Sequence, residues 1–339
     1  MKFITIFLSI IFLFSTTSAQ WKKYEVGTDA SFRGLDVVNE KVVWASGTGG
    51  TVIRTIDGGK NWDVIKVPDA EKLDFRDIEA FGENTAYILS IGNGENSRIY
   101  KTTDGGKTWK LQFKNAIEKA FFDSIAFWDE KHGIAQSDPV DGFYFLIATK
   151  DGGKTWRRTG EDKMPRAKKG EAAFAASGTS IISHGKKGAF IVSGGNDARV
   201  FRSYNRGLSW FAADTPFIKG SAGAGIFSIA MYDKKRGIIV GGDYTKPKGI
   251  TNNLAYTKDG GKTWKLGKGL SGYRSGVTYV NRKMVIAVGT SGSDISYDGG
   301  KTWKSLDEKN YNAVESNGKK AIWVVGPKGM VSRLNPKQR

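Results

Sequence analysis

The chain repeats one octapeptide, and the repetition decides its architecture. "TKDGGKTW" at residues 257–264 has close copies ending at Trp62, Trp109, Trp156, Trp210 and Trp303. The Asp or Asn of each copy falls at Asp57, Asp104, Asp151, Asn205, Asp259 and Asp298, so successive copies lie 39 to 54 residues apart. A period of about 40–50 residues is that of propeller blades or solenoid turns. Between the copies lie short runs rich in Val, Ile, Phe and Trp, such as "GLDVV", "KVVWAS" and "TVIRT", which have the composition of strands.

The Gly-Lys-Thr inside four copies invites a phosphate-loop reading, and spacing excludes it. Such a loop needs a glycine five residues before the Gly-Lys pair, so that successive backbone N–H groups wrap the phosphate ahead of a helix. That position holds Lys101, Ala148, Tyr256 or Ile295, and the residues after each copy read as a strand. The octapeptide reads instead as a hairpin tip. Its Asp-Gly-Gly tolerates positive φ, the Asp oxygen accepts from turn N–H groups, Ser or Thr two residues earlier adds a hydroxyl bond, and the Trp ring is buried beneath.

The pattern Ser/Thr-x-Asp-x-Gly-x-Thr-Trp resembles the Asp-box, or BNR, repeat of β-propellers, as found in sialidases and in the photosystem II stability and assembly factor family. The copy at residues 205–210 departs from it by Asn for Asp. "FRGLDVV", "SDPVDGFYF", "GEAAFAASGT" and "VGGDY" further resemble a bacterial, assembly-factor-like branch of such propellers. The resemblance specifies a fold strongly and a chemistry weakly.

Seven segments align as first strands: "FRGLDVV", "FRDIEAF", "FDSIAFW", "GEAAFAA", "FSIAMYD", "YRSGVTY" and "YNAVESN". An all-β, seven-bladed β-propeller is therefore expected. "WKKYEV" at residues 21–26 has no blade of its own and is expected to complete the last blade, closing the ring. Residues 1–19 read as a signal peptide, with one lysine, a short apolar run, and Thr17 and Ala19 at small-residue cleavage positions. Residues 20–339 then form one propeller domain with six Asp boxes. The expected product is exported, periplasmic or extracellular, without a transmembrane segment, and monomeric.

Composition narrows the chemistry. With no cysteine, the chain has no disulfide, thiolate metal site or cysteine nucleophile. Two histidines, His132 and His184, are too few for a histidine zinc site and argue against a Ser-His-Asp triad. "GTGG" at residues 47–50 lacks the dinucleotide-loop spacing, so an oxidoreductase label has no support, and no cofactor or metal is expected. A formal charge of +18 points to an anionic small molecule, an acidic glycan or an acidic protein segment as partner rather than to nucleic acid. Part of that charge, Lys60, Lys107, Lys154, Lys262 and Lys301 in the hairpin tips, is expected to be solvated and edge-protecting.

Blade topology places the candidate site on the face away from the Asp boxes. The aligned blade entries hold Arg33, Arg76, Asp123, Glu171, Phe227, Arg274 and Asn312, expected to ring one channel mouth. Loops on that face add Asp138 and Asp141, Asn196, Asp197 and Arg199, Asp243 and Tyr244, and Asp294. "GGDYTKPKGITNN" is expected to act there as a lid. Three arginines at one mouth suit a bidentate grip on a carboxylate. A binding or assembly-factor-like module is the first expectation. The alternative is a sialidase-like glycoside hydrolase, its arginines holding a sugar carboxylate while a tyrosine attacks and an aspartate acts as acid. Spacing assigns no nucleophile and acid pair, so catalytic residues stay unassigned and a non-enzyme is preferred.

Overall fold

The computed structural model describes residues 20–335, so the signal-peptide reading of residues 1–19 lies outside the described residues. Seven antiparallel sheets form the blades, and no α-helix occurs among the described residues. Blade 1 runs from channel to rim as Phe32–Val37, Val43–Gly47, Thr51–Thr55 and Asp63–Lys66, in sequence order. Blades 2 to 6 repeat the plan from innermost strands Phe75–Ala80, Phe122–Asp129, Ile181–His184, Ala224–Met231 and Gly276–Tyr279.

Blade 7 contributes three consecutive strands, Ala313–Ser316, Ile322–Val325 and Val331–Asn335, and its fourth is the N-terminal Gln20–Tyr24. That strand pairs antiparallel with the last one, from Gln20 opposite Asn335 to Tyr24 opposite Val331. The ring is thus closed by its two ends, as the spare "WKKYEV" segment implies.

Each Asp box does two jobs. In the second, Thr102 Oγ1 donates to Asp104 Oδ1 at 2.9 Å and accepts from the Gly106 N–H at 2.9 Å. The Thr108 N–H and hydroxyl then donate to the two carboxylate oxygens at 2.9 and 2.6 Å. These bonds, led by those from Thr108, hold the Asp104 pKa down to about 2. In the Asn205 copy Ser209 N–H still donates to the side-chain oxygen, and Asn205 Nδ2 now donates to the Ser209 hydroxyl, so the turn survives the change. The second job is packing. Trp62 joins the cluster of blades 7 and 1, Trp109 that of blades 1 and 2, and Trp156 that of blades 2 and 3, each ring filling the seam with the preceding blade.

Blade 4 departs from the sequence reading. Within "GEAAFAA" only Glu171–Ala172 is extended, and it pairs with Gly194–Gly195 to lengthen the sheet of blade 5 to six strands. The innermost strand of blade 4 is Ile181–His184. Residues 173–180, rich in Ala, Ser and Gly, lack the alternating bulky side chains that a blade face buries, and they take a different course.

Closure makes a measurable prediction. Trp21 is buried and its Nε1 donates to Ser293 Oγ of blade 6 at 3.0 Å. Trp21→Ala is expected to cost about 3–5 kcal/mol in denaturant unfolding. Deleting residues 20–24 is expected to cost more, and a truncated chain as stable as the full one would refute closure.

Candidate functional site

Four blade entries are bulged. The ladder of the innermost strand jumps between Phe32 and Gly34, Phe75 and Asp77, Phe122 and Ser124, and Ile226 and Ser228. The extra residue of a bulge leaves the ladder and is re-aimed. Those residues are Arg33, Arg76, Asp123 and Phe227, so the strand geometry itself turns these four side chains toward the channel mouth.

The chain before blade 4 crosses that mouth. Arg33 Nη1 of blade 1 donates to the Ala176 carbonyl and Arg76 Nη1 of blade 2 to the Ala175 carbonyl, both at 3.1 Å. Ala173 N–H donates to Asp138 Oδ1 of blade 3 at 2.7 Å, and the Ser177 hydroxyl to the Ser275 carbonyl at the entry to blade 6 at 2.7 Å. The Thr179 and Ser228 hydroxyls, the latter from blade 5, meet at 2.6 Å. Contacts with five blades make residues 173–179 a plug. Gly178 allows it, with φ of +76° and so little room that a Cβ would stand 2.3 Å from Asp77 Oδ1.

Above the plug the mouth has two unlike sides. On one, Phe174 stacks on Phe227 at 3.9 Å between centroids, Tyr273 meets Phe227 edge-on at 4.8 Å, and the half-exposed Tyr244 stands at 6.3 Å. On the other, Arg76 is paired with Asp74 at 2.7 Å, while Arg33 forms no ion pair among the described residues. Burial and the adjacent Arg76 push the Arg33 pKa down, with Tyr273 and Asp74 opposing. Asp123 is buried beside them, its pKa raised by burial and by Asp138 and lowered by Arg76, and its Oδ2 has no hydrogen-bond partner.

The remaining sequence-derived residues are dispersed. Arg274 does not join the other arginines. It is fully buried against Asp294, with Nε to Oδ2 at 2.7 Å and further bonds to the Ser271 and Ser291 hydroxyls. Arg274 precedes the start of its strand at Gly276, so the bulge that frees Arg33 and Arg76 is missing there. Glu171 is likewise off the mouth, locked to Arg199 and to the Ser193 hydroxyl. Asp138 accepts from the Ala173 N–H of the plug, its pKa raised by burial to about 6, whereas Asp141 is exposed in a turn. Asp197, despite its burial, is held near a pKa of about 2 by Lys168 and Lys219. Asn312 Nδ2 donates to the Phe32 carbonyl, tying blade 7 to blade 1. Asp243 caps its own loop through Thr245, and that loop is pinned where Tyr273 N–H and the Ser291 hydroxyl donate to the Pro247 carbonyl at 2.8 and 2.7 Å. It is not a free lid.

Beneath the plug lies a feature the sequence reading missed, a 340 Å³ cavity in the channel, lined by Asp36, Asp77, Glu79 and Glu315. Three of these carboxylates serve open strand edges. Asp36 accepts from the Ala80 N–H of blade 2 at 2.6 Å, Glu315 from Val37 of blade 1 at 3.0 Å, and Asp77 from Ile125 of blade 3 at 2.7 Å. Burial drives all four pKa values up, that of Asp36 to about 7. The signal was present: "FRGLD", "FRDIE" and "YNAVE" carry an acid at the same offset in three adjoining blades.

Comparison with known proteins agrees with this architecture. A family model described as photosynthesis system II assembly factor YCF48 matches residues 13–110, and the BNR/Asp-box repeat model matches residues 255–266. The chain is similar to the photosystem II assembly protein Ycf48 of Synechococcus sp. (strain JA-3-3Ab), 36% identical over 83 residues, which are 24% of this chain and 25% of the relative. The match thus spans about a quarter of that relative's length. Among solved structures, "YCF48 bound to D1 peptide" superposes with a TM-score of 0.68 at 18% identity, covering 94% of this chain and 97% of that one. YCF48 from Cyanidioschyzon merolae gives the same score and identity, with 94% and 100% covered. The WD40 propeller of Doa1 scores 0.66 at 12% identity, covering 95% and 98%. At these identities the structural likeness establishes the propeller fold. The chain is an Asp-box propeller resembling the assembly-factor family.

The channel carboxylates set a pH dependence with a definite sign. Their folded pKa values exceed the unfolded ones, so they stabilise the fold at low pH and that contribution is lost as pH rises from about 4 through the Asp36 value of about 7. The Asp boxes act oppositely, losing their contribution only as pH falls toward about 2. Asp36→Asn keeps an acceptor for the Ala80 amide. It is expected to raise stability at pH 8 by up to about 4 kcal/mol relative to wild type, with little change at pH 4. Urea unfolding across that range decides it, and parallel curves for the two proteins would refute the assignment.

Proposed function

We propose that this chain is an exported, assembly-factor-like propeller that holds an acidic or carboxylate-bearing segment of another protein at the plugged mouth. The observation that carries the reading is the convergence of Arg33 and Arg76 on one rim, Arg76 ion-paired with Asp74 and Arg33 in no ion pair among the described residues, opposite the Phe174, Phe227 and Tyr273 cluster. An anion there offsets the burial and the Arg76 repulsion that lower the Arg33 pKa, and a planar guanidinium can take a carboxylate by two parallel bonds. The aromatic side offers apolar contact to neighbouring residues of the same segment. A protein segment as ligand has a precedent in the solved relative described as bound to D1 peptide. Export rests on residues 1–19, whose composition is that of a signal peptide.

A sialidase-like reading loses its clamp. It needs three arginines on one sugar carboxylate, and Arg274 is sealed with Asp294 away from the other two.

The test uses a fluorescent peptide of Asp and Glu residues with a free C-terminal carboxylate. Arg33→Ala and Arg76→Ala are each expected to weaken its binding by about 1.5–3 kcal/mol without unfolding the protein. Lysine at either position should restore it only in part. Arg274→Ala is expected to act differently, lowering stability by about 3–5 kcal/mol while the folded protein keeps its affinity. Unaltered binding in both mouth variants would remove the arginines from the reading. Hydrolysis of a fluorogenic sialoside, lost in Arg33→Ala, would replace it by the glycosidase alternative.

A further inference from the structure

One backbone hydrogen bond, repeated in six blades, builds a second surface opposite the mouth. The residue after each box Asp or Asn donates its N–H to the carbonyl of the turn joining the first two strands of the same blade. Gly58 thus meets Lys41, Gly152 meets Lys131, Arg206 meets Lys187, Gly260 meets Lys235 and Gly299 meets Lys283, all at 2.7–3.0 Å, and Gly105 meets Asn84 at 2.9 Å. The bond brings two kinds of turn to one height around the ring.

Five of those six acceptors are lysines, and five of the six boxes carry a lysine three residues after the Asp, at Lys60, Lys107, Lys154, Lys262 and Lys301. All ten are exposed, and none forms an ion pair among the described residues. The box carboxylates share this face, Asp57, Asp104 and Asp151 half-buried and Asp259 and Asp298 exposed, and they are tied to N–H groups of their own turns, Asp57 for example accepting from those of Lys60 and Asn61. Glu40, Glu83, Asp129, Glu130 and Asp233 in and beside the same turns are fewer than the lysines, and Asp129 and Asp233 are paired with Arg206 and Arg236. The channel arginines, by contrast, lie at the far end.

Shape selects the partner. A linear polyanion would cross a few blades of such a ring, whereas a flat sheet of anionic groups meets every lysine at once, each adding to the attraction within a Debye length of the surface. We infer that the Asp-box face docks flat on an anionic lipid bilayer, leaving the mouth turned away from the membrane to receive its partner. The docking does not depend on what the mouth binds.

Vesicle co-sedimentation tests this with the chain from Gln20, which contains the whole described fold. Binding to vesicles of phosphatidylcholine with about 30% phosphatidylglycerol should exceed binding to pure phosphatidylcholine at least tenfold at about 50 mM salt and fall at least tenfold by about 300 mM. Combining Lys60→Glu, Lys107→Glu and Lys154→Glu should weaken it tenfold or more at an unchanged melting temperature. The same charge change on the mouth face, Lys72→Glu with Lys246→Glu and Lys248→Glu, should weaken it far less. Arg33→Ala with Arg76→Ala should leave it intact, which keeps this result separate from failure of the peptide reading. Equal binding to neutral vesicles, equal losses in the two triple variants, or retention on heparin without vesicle binding would each overturn the inference.

Discussion

Every blade of this ring is packed on both faces against its neighbours, so its apolar side chains are buried only when both are present. The seam that makes the ring whole lies between blades 7 and 1, where the buried Trp323 meets Tyr24 at 5.1 Å and Trp62 at 5.6 Å. Tyr24 belongs to the N-terminal strand and Trp62 to the first Asp box. The repeated hairpin and the closing strand therefore act on the same ring of indole. With that seam filled, the other six interfaces are satisfied by the same packing one blade further on.

Closing the circle leaves the inner strand edges facing the channel. Their amides need acceptors, because an unpaired buried N–H is costly. The chain answers in two ways. On blades 7, 1 and 2 an acid reaches across to the amide of the next blade, and on blade 5 the Ile229 amide donates to the Thr179 carbonyl at the end of the plug. The first answer places carboxylates in a poorly solvated space and shifts them toward the neutral form, and the second turns a through-channel into a shallow basin. The site is thus a by-product of satisfying the inner edges, with Arg33 and Arg76 added where bulges free them.

What could be read from the sequence was whatever depends on neighbours along the chain. The Asp box is closed by bonds among Thr102, Asp104, Gly106 and Thr108, so its spelling is its structure. The inner strands were legible where "FR" or "FD" preceded alternating apolar residues, and four of their entry residues reach the mouth. Arg274 was misplaced because a bulge depends on the register between two strands, which its own neighbours do not reveal. Residues 173–180 misled for the opposite reason, since Ala and Ser fit either a strand or a plug and only contacts with distant blades decide between them. Asp36, Glu79 and Glu315 repeat visibly at one offset, yet the role of Asp36 and Glu315 emerges only when the ring brings the next blade's amide within reach.

The pairing of Gln20–Tyr24 with Val331–Asn335 also orders events in time. The first strand to be made waits for the last, and contacts between the two ends of a chain are the slowest to form because they carry the greatest loop-closure entropy. During synthesis the first and the latest completed blade each keep an uncovered flank, so the growing chain is a stack that lengthens without becoming a native ring. Only when Val331–Asn335 emerges can Trp21 and Tyr24 find their seats. The ring is therefore committed to its final form only when Val331–Asn335 pairs with Gln20–Tyr24.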